Sequence, residues 1–244
     1  LYDNNLLFNN IDKIKNLGQY SFANSGLTYV VLGDDTNIEE GAFYGSSLIN
    51  VTLGKNSVVG FGAFQKCEKL VTVNMPEEGN VQINQSAFAN DTLLKNIDLS
   101  KTTDTLGNEA FYGCLSLQTA NLTNVKYIGD YAFGDCSSLN VINIPNAISI
   151  GESAFGRVTE SGEAPNMIKI EFPASLREIK DGAFLGCRNL TTINIPEGVT
   201  KISDFAFSFC SGLTRVTLPQ SVVEIGDYGF YGCPYLVNIN TGNV

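Results

Sequence analysis

LTTINIPEGVTKISDFAFSFCSGL, running from Leu190 to Leu213, decides the fold. It opens on a phrase in which apolar and polar residues alternate, Leu190-Thr-Thr-Ile-Asn-Ile-Pro196. Alternation at period two marks a half-buried strand, and the closing proline stops it because proline lacks the amide donor that a ladder needs. An aliphatic residue, Ile202, follows, then the pair Ala206-Phe207, then Cys210 three positions later. Leu213 then restarts the phrase as Leu213-Thr-Arg-Val-Thr-Leu-Pro219.

Working outward from this stretch, the Ala-Phe pair recurs at Phe43, Phe64, Phe88, Phe111, Phe133, Phe155, Phe184 and Phe207. Ser21-Phe22 and Gly229-Phe230 complete the series. The steps between successive phenylalanines are 21, 21, 24, 23, 22, 22, 29, 23 and 23 residues, a period typical of a solenoid. Other positions keep register with the anchor. Five residues before it stands an aliphatic side chain in every copy, from Leu17 and Ile38 to Ile202 and Ile225. Six after it, in most copies, stands Leu: Leu70, Leu94, Leu117, Leu139, Leu190, Leu213 and Leu236. The first two full copies are one residue shorter, with Leu27 and Leu48 five after the Phe. One coil alone buries too little apolar surface to offset the ordering of its backbone, so the copies must stack and cover each other's faces. With parallel strands about 4.8 Å apart, ten coils predict a sheet on the order of 50 Å long.

Composition narrows the function. The chain has 244 residues, 43% hydrophobic and 16% charged, which excludes intrinsic disorder. Its formal net charge of −10 repels a phosphate backbone, so nucleic acid is not expected as a partner. It contains no His, which removes Ser-His-Asp and Cys-His catalysis and every histidine-containing zinc site. No window approaches the length of an uninterrupted apolar span, so no transmembrane segment is expected in this piece. The chain begins at Leu1 and not at Met, and its last strand, around Asn238-Ile239-Asn240, lacks a polar cap; both predict a piece of a longer protein. All six cysteines fall three residues after an anchor Phe: Cys67, Cys114, Cys136, Cys187, Cys210 and Cys233. Cysteine is therefore one slot of the repeat, and buried free thiols are expected rather than disulfides or a metal site, since a ladder sets its members side by side instead of converging them.

The consensus Leu-x-x-Ile-x-Ile-Pro-x-x-Val-x-x-Ile-x-x-x-Ala-Phe-x-x-Cys-x-x-Leu resembles the BspA-like (treponemal-type) leucine-rich repeat. The resemblance implies a curved leucine-rich-repeat solenoid of the α/β-type repeat class, about ten stacked coils with a parallel concave β-sheet and short turns or 3-10 segments on the convex side. It also implies a secreted or cell-surface protein of a host-associated microbe, in a family linked to adhesion. One domain spanning 1–244 is expected, with regular repeats over about 11–240 and an insertion at 157–166 that bulges before Met167 resumes the strand.

Two surfaces are candidates for binding, and neither suggests a cofactor. Within each strand the residues two and four after the Leu point outward. One outward column reads Tyr29, Asn50, Thr72, Asn96, Thr119, Val141, Lys169, Thr192, Arg215, Asn238. The other reads Val31, Thr52, Asn74, Asp98, Asn121, Asn143, Glu171, Asn194, Thr217, Asn240. The structural reading is that Asn and Thr satisfy each other along the stack; the functional reading is an amide-rich platform for a protein or glycan. Lys169 beside Glu171 reads as a surface pair rather than an acid-base couple. The second candidate is the aromatic enrichment in the later turns, Phe205, Phe209, Tyr228, Tyr231 and Tyr235, read either as an adhesive patch or as packing between coils. Nothing positions or tunes carboxylates such as Asp98 and Glu171 for hydrolysis. The expected function is non-enzymatic recognition of a host extracellular-matrix or cell-surface protein, or of a neighbouring cell. A glycan-binding or scaffold segment of a larger secreted enzyme or envelope protein is the alternative.

Overall fold

A computed structural model describes residues 9–158 and 164–242, with the side chains of the first two left aside. Among these residues there is no helix; the chain is a β-solenoid of about ten turns. Most coils contribute one strand from the alternating phrase. These strands pair in parallel with like positions opposite one another: Asn50 faces Thr72, Asn96 faces Thr119, and Thr192 faces Arg215, which faces Asn238. The outward columns read from the sequence are thus the columns of the folded sheet.

This ladder is not continuous. It divides into the strands from Asn9–Ile11 to Thr72–Asn74, those from Asn96–Asp98 to Val141–Asn143, and those from Thr192–Asn194 to Asn238–Thr241. On this face an isolated bridge, Lys169 to Thr192, links the coil after the insertion to its successor. Residues 159–163, the centre of the expected bulge, lie outside the described residues.

The aliphatic position five before each Phe builds a second ladder on which the sequence reading was silent. The short strands Asn16–Leu17, Asn37–Ile38, Val58–Val59, Val81–Ile83, Thr102–Leu106, Tyr127–Ile128, Ser149–Ile150 and Glu178–Ile179 form one eight-stranded parallel sheet, and Lys201–Ile202 and Glu224–Ile225 pair as a separate two-stranded one. Ile150 pairs directly with Ile179, across the insertion. The Ala-Phe pair makes a third set of links. The amide of each anchor Phe donates to the carbonyl of the residue before the next anchor, as from Phe43 to Ala63 at 2.7 Å and from Phe133 to Ala154 at 2.8 Å.

The turn holding this pair has a regular backbone device. The residue two before the Phe has positive φ in all ten coils, among them Tyr20, Gly41, Gly62, Glu109, Tyr131, Phe205 and Tyr228. The residue two after it does so in nine, among them Asn24, Gly45, Lys66, Asp135, Phe209 and Gly232. Alternate amides consequently point along the stack: Gly41 donates to Phe61, Phe43 to Ala63 and Gly45 to Gln65. The amides between them close local turns, as from Ala42 to Glu39.

Inside, the ten anchor rings form a column. Successive centroids lie 5.1–5.6 Å apart and the planes are within 20° of parallel, from Phe22 to Phe230. The eight inner rings are fully buried. Alanine precedes most of them because a larger side chain at that fully buried position would hold the coils apart.

Candidate functional site

The cysteine slot is structural, and its chemistry is plain. Each thiol donates to the carbonyl of the anchor Phe one coil earlier: Cys67 to Phe43, Cys114 to Phe88, Cys136 to Phe111, Cys187 to Phe155, Cys210 to Phe184 and Cys233 to Phe207, at 3.1–3.3 Å. All six are free, five buried and Cys233 partly so. Burial pushes the Cys67 and Cys136 thiols up to about 12 and raises the others as well, so they stay protonated and unreactive. Asp91 occupies the same slot. Its Oδ1 accepts the amide of Cys67 at 2.8 Å, while Oδ2 is buried with no partner.

On the sheet face the polar residues bond along the columns. Asn74 donates to Thr52 at 3.1 Å, Thr119 to Asn96 at 2.7 Å, Asn121 to Asp98 at 2.9 Å and Asn143 to Asn121 at 3.2 Å. Tyr29 and Asn50 sit half-buried at the start of their column and Arg215 stands exposed near its end, while Asn194 stands exposed near the end of the other. Much of the amide platform is therefore occupied with itself. Lys169 and Glu171 form a 2.6 Å pair in which both side chains are well exposed, and Lys169 holds the Glu171 carboxyl below the usual carboxylate range. Water screens such a pair, so it adds little to stability.

The second break in the ladder opens what the columns alone did not reveal. Between Val141–Asn143 and the coil of Lys169 lies a cleft of about 590 Å³. It brings Asn143, Lys169 and Glu171 together over Ile142 and Phe172, and Phe172 packs edge-on against Phe184 at 5.6 Å. The insertion named in the sequence signals the site, but only the lost pairing shows which face it opens.

Four aromatic residues of the later turns form one connected group, and Tyr235 stands exposed nearby in the sequence. Phe205 stacks on Tyr228 at 4.9 Å, Tyr228 meets Tyr231 edge-on at 5.5 Å, and Tyr231 meets Phe209 edge-on at 5.2 Å. The rings do pack between coils, yet each remains exposed: Phe205 by 42%, Phe209 by 44%, Tyr228 by 57% and Tyr231 by 55%. Phe205, Phe209 and Tyr228 have φ of 56°, 57° and 56°. Bulky side chains avoid this left-handed region at a cost of about 1–2 kcal/mol per residue. Equivalent positions elsewhere hold Gly41, Gly62 and Gly182 before the Phe, with Tyr20, Ser86, Glu109, Tyr131 and Ser153 in other coils, and Gly45, Gly113, Gly186 and Gly232 after it, with Asn24, Lys66, Asn90 and Asp135 in others.

A family model described as a BspA type leucine rich repeat region (6 copies) matches residues 4–90, 58–164 and 161–244. The chain belongs to this family. Among solved structures, the pneumococcal vaccine antigen PcpA matches at 19% identity with a TM-score of 0.55, over 96% of this chain and 67% of its own. That similarity supports the BspA-type solenoid fold. A leucine-rich cell surface protein of Faecalibacterium prausnitzii matches at 23% identity, TM-score 0.46, over 96% of this chain and 59% of its own length. A leucine-rich repeat protein of Treponema pallidum matches at 23% identity, TM-score 0.41, over 85% of this chain and 77% of its own. Comparison with functionally curated proteins gave no match. Among the described residues no helix is long and apolar enough to cross a membrane.

Proposed function

We propose that this BspA-type chain is a non-enzymatic recognition module displayed on or secreted from a cell, which adheres to a protein of a host or of a neighbouring cell. One observation carries the reading: three aromatic side chains stand exposed, in one connected group, at left-handed positions that other coils fill with glycine, small polar or charged residues and only twice with an aromatic ring. Strain kept at a surface that needs no such residues for folding points to use of those residues. Aromatic rings are the groups that supply most of the energy at protein-protein contacts.

The test is solid-phase binding of the chain to matrix proteins and to intact cells, beside the triple variant Phe205→Gly, Phe209→Gly, Tyr228→Gly. Each replacement relieves about 1–2 kcal/mol of left-handed strain. It also loses about 0.5–1.5 kcal/mol per ring pair and adds the unfolded-state freedom of glycine. The variant should therefore melt close to the wild type while binding falls. Unchanged binding, or retention of the wild type no greater than that of an inert solenoid of equal charge, refutes the proposal. The cleft at Asn143, Lys169 and Glu171 favours a second reading, a glycan site. Amide and charged groups stand there beside the Phe172 ring, and a glycan array would separate the two.

A further inference from the structure

On the turn face, midway along the stack, the residue after the anchor Phe is Tyr44, Gln65, Ala89 and Tyr112 in successive coils, and then Gly134 and Gly156. The first of these, Gly134, lets Val158 and the Tyr112 ring approach each other beside a gap. A Cβ on Gly134 would come 2.7 Å from Val158 Cγ2 and 3.3 Å from Tyr112 Cδ2. The gap is a cavity of about 310 Å³ lined by Glu109, Tyr112, Tyr131 and Val158. The phenol of Tyr112 donates to Asp135 at 3.2 Å and that of Tyr131 donates to Glu152, so two aromatic walls are each tethered by a carboxylate. Burial, then Asp135, makes the Tyr112 phenol harder to ionise, and Glu152, then burial, does so for Tyr131, with the charge of Glu109 adding to both. Among the described residues neither Glu109 nor Glu152 pairs with a lysine or arginine.

The molecule itself shows what such a ring accepts. Tyr44 stands at the same repeat position as Tyr112, and the ammonium of Lys66, two after the next anchor, lies 5.5 Å from the centre of the Tyr44 ring. Two after the next anchor from Tyr112 the residue is Asp135, so the position that elsewhere supplies a cation here supplies an anion. Aromatic faces attract ammonium groups, and carboxylates at the rim accept their hydrogen bonds.

We propose that this cradle binds a primary alkylammonium group, presented as a lysine side chain of a protein partner. The proposal extends the protein-recognition reading by naming the chemistry at a separate place on the solenoid. A quaternary ammonium would meet the rings but offer the rim no N–H, which is why the primary form is favoured.

The test titrates the protein with Nα-acetyl-lysine amide, its Nε-acetylated form and its Nε-trimethylated form, following the tyrosine ring signals by NMR. Saturable shifts confined to Tyr112 and Tyr131 are expected for the unmodified probe at millimolar concentration, none for the acetylated probe, and weaker ones for the trimethylated probe. The variant Glu109→Gln, Glu152→Gln, whose amide oxygens can still accept from Ser86 and Tyr131, should weaken binding by about tenfold. Overturning results are no saturable shift, equal shifts with the acetylated probe, trimethylated binding as tight as unmodified, or binding unchanged in the variant. Since no macromolecule enters the titration, its failure is distinguishable from failure of the adhesion reading.

Discussion

Asp91 is an acid in a slot built for a thiol, and replacing it by cysteine should stabilise the protein. The carboxyl is fully buried between Cys67 and Cys114, one oxygen accepts the Cys67 amide, and the other has no partner. A buried orphan acceptor costs about 1–3 kcal/mol. Asp91→Cys removes it and places a thiol where the other coils donate to a Phe carbonyl. The Cys67 amide also reaches the Phe64 carbonyl at 3.1 Å, so it keeps an acceptor. A gain of about 1–3 kcal/mol at pH 7 is expected, seen as a higher midpoint in urea unfolding followed by circular dichroism under reductant. The gain should depend on pH, and the sign follows from burial. Desolvation raises the Asp91 carboxyl well above its ordinary value, so the folded state holds a proton that the unfolded chain releases near pH 4. The wild type therefore has the full contribution of this group below about pH 4 and loses it as pH rises towards the folded value. The advantage of Asp91→Cys should be smallest near pH 4 and grow through pH 7, and Asp91→Asn should abolish the pH dependence without the slot's thiol contact. A variant less stable than wild type at pH 7, or an advantage flat with pH, would refute the reasoning.

Three further outcomes are expected. Phe133→Ala, which empties a fully buried ring position between Phe111 and Phe155, should cost about 3–5 kcal/mol, whereas the same change at Phe230, half-buried in the last described coil, should cost clearly less; equal losses would contradict a column whose rings are held from both sides. Thiol titration without reductant should find all six thiols only after denaturation, with Cys233 the first to react in the native protein because it is partly buried; absence of thiols in the denatured protein would mean disulfides. Limited proteolysis should cut first within 157–166, and a first cut inside a repeat strand would contradict the expected bulge.

The repeat, its register and its inward and outward columns were legible because alternation and fixed spacing are properties of a line of residues. Ile193 and Ile195 announce their strand by what lies between them. Ile150 and Ile179 do not, for a two-residue strand has no period to read, and so a whole ladder stayed hidden behind a column of aliphatics. The left-handed positions left a trace in Gly41, Gly62 and Gly182, but Tyr20, Tyr131 and Phe205 at the same place obscured it. Asp91 was visible as a departure from cysteine; the cost of its orphan oxygen depends on neighbours that only folding supplies. The cleft at Asn143 and Lys169 depends on a pairing that fails, and no residue type marks the absence of a hydrogen bond.

The two ladders differ in what they let the chain change. The short-strand sheet and the ring column pass the insertion unbroken, Ile150 to Ile179 and Phe155 to Phe184, while the broad sheet gives way there. Alignment of the coils is thus kept on one side of the molecule and display on the other. The broad face behaves like movable type set on a fixed rail: a coil can exchange its outward letters, or leave a gap, while its neighbours hold their line.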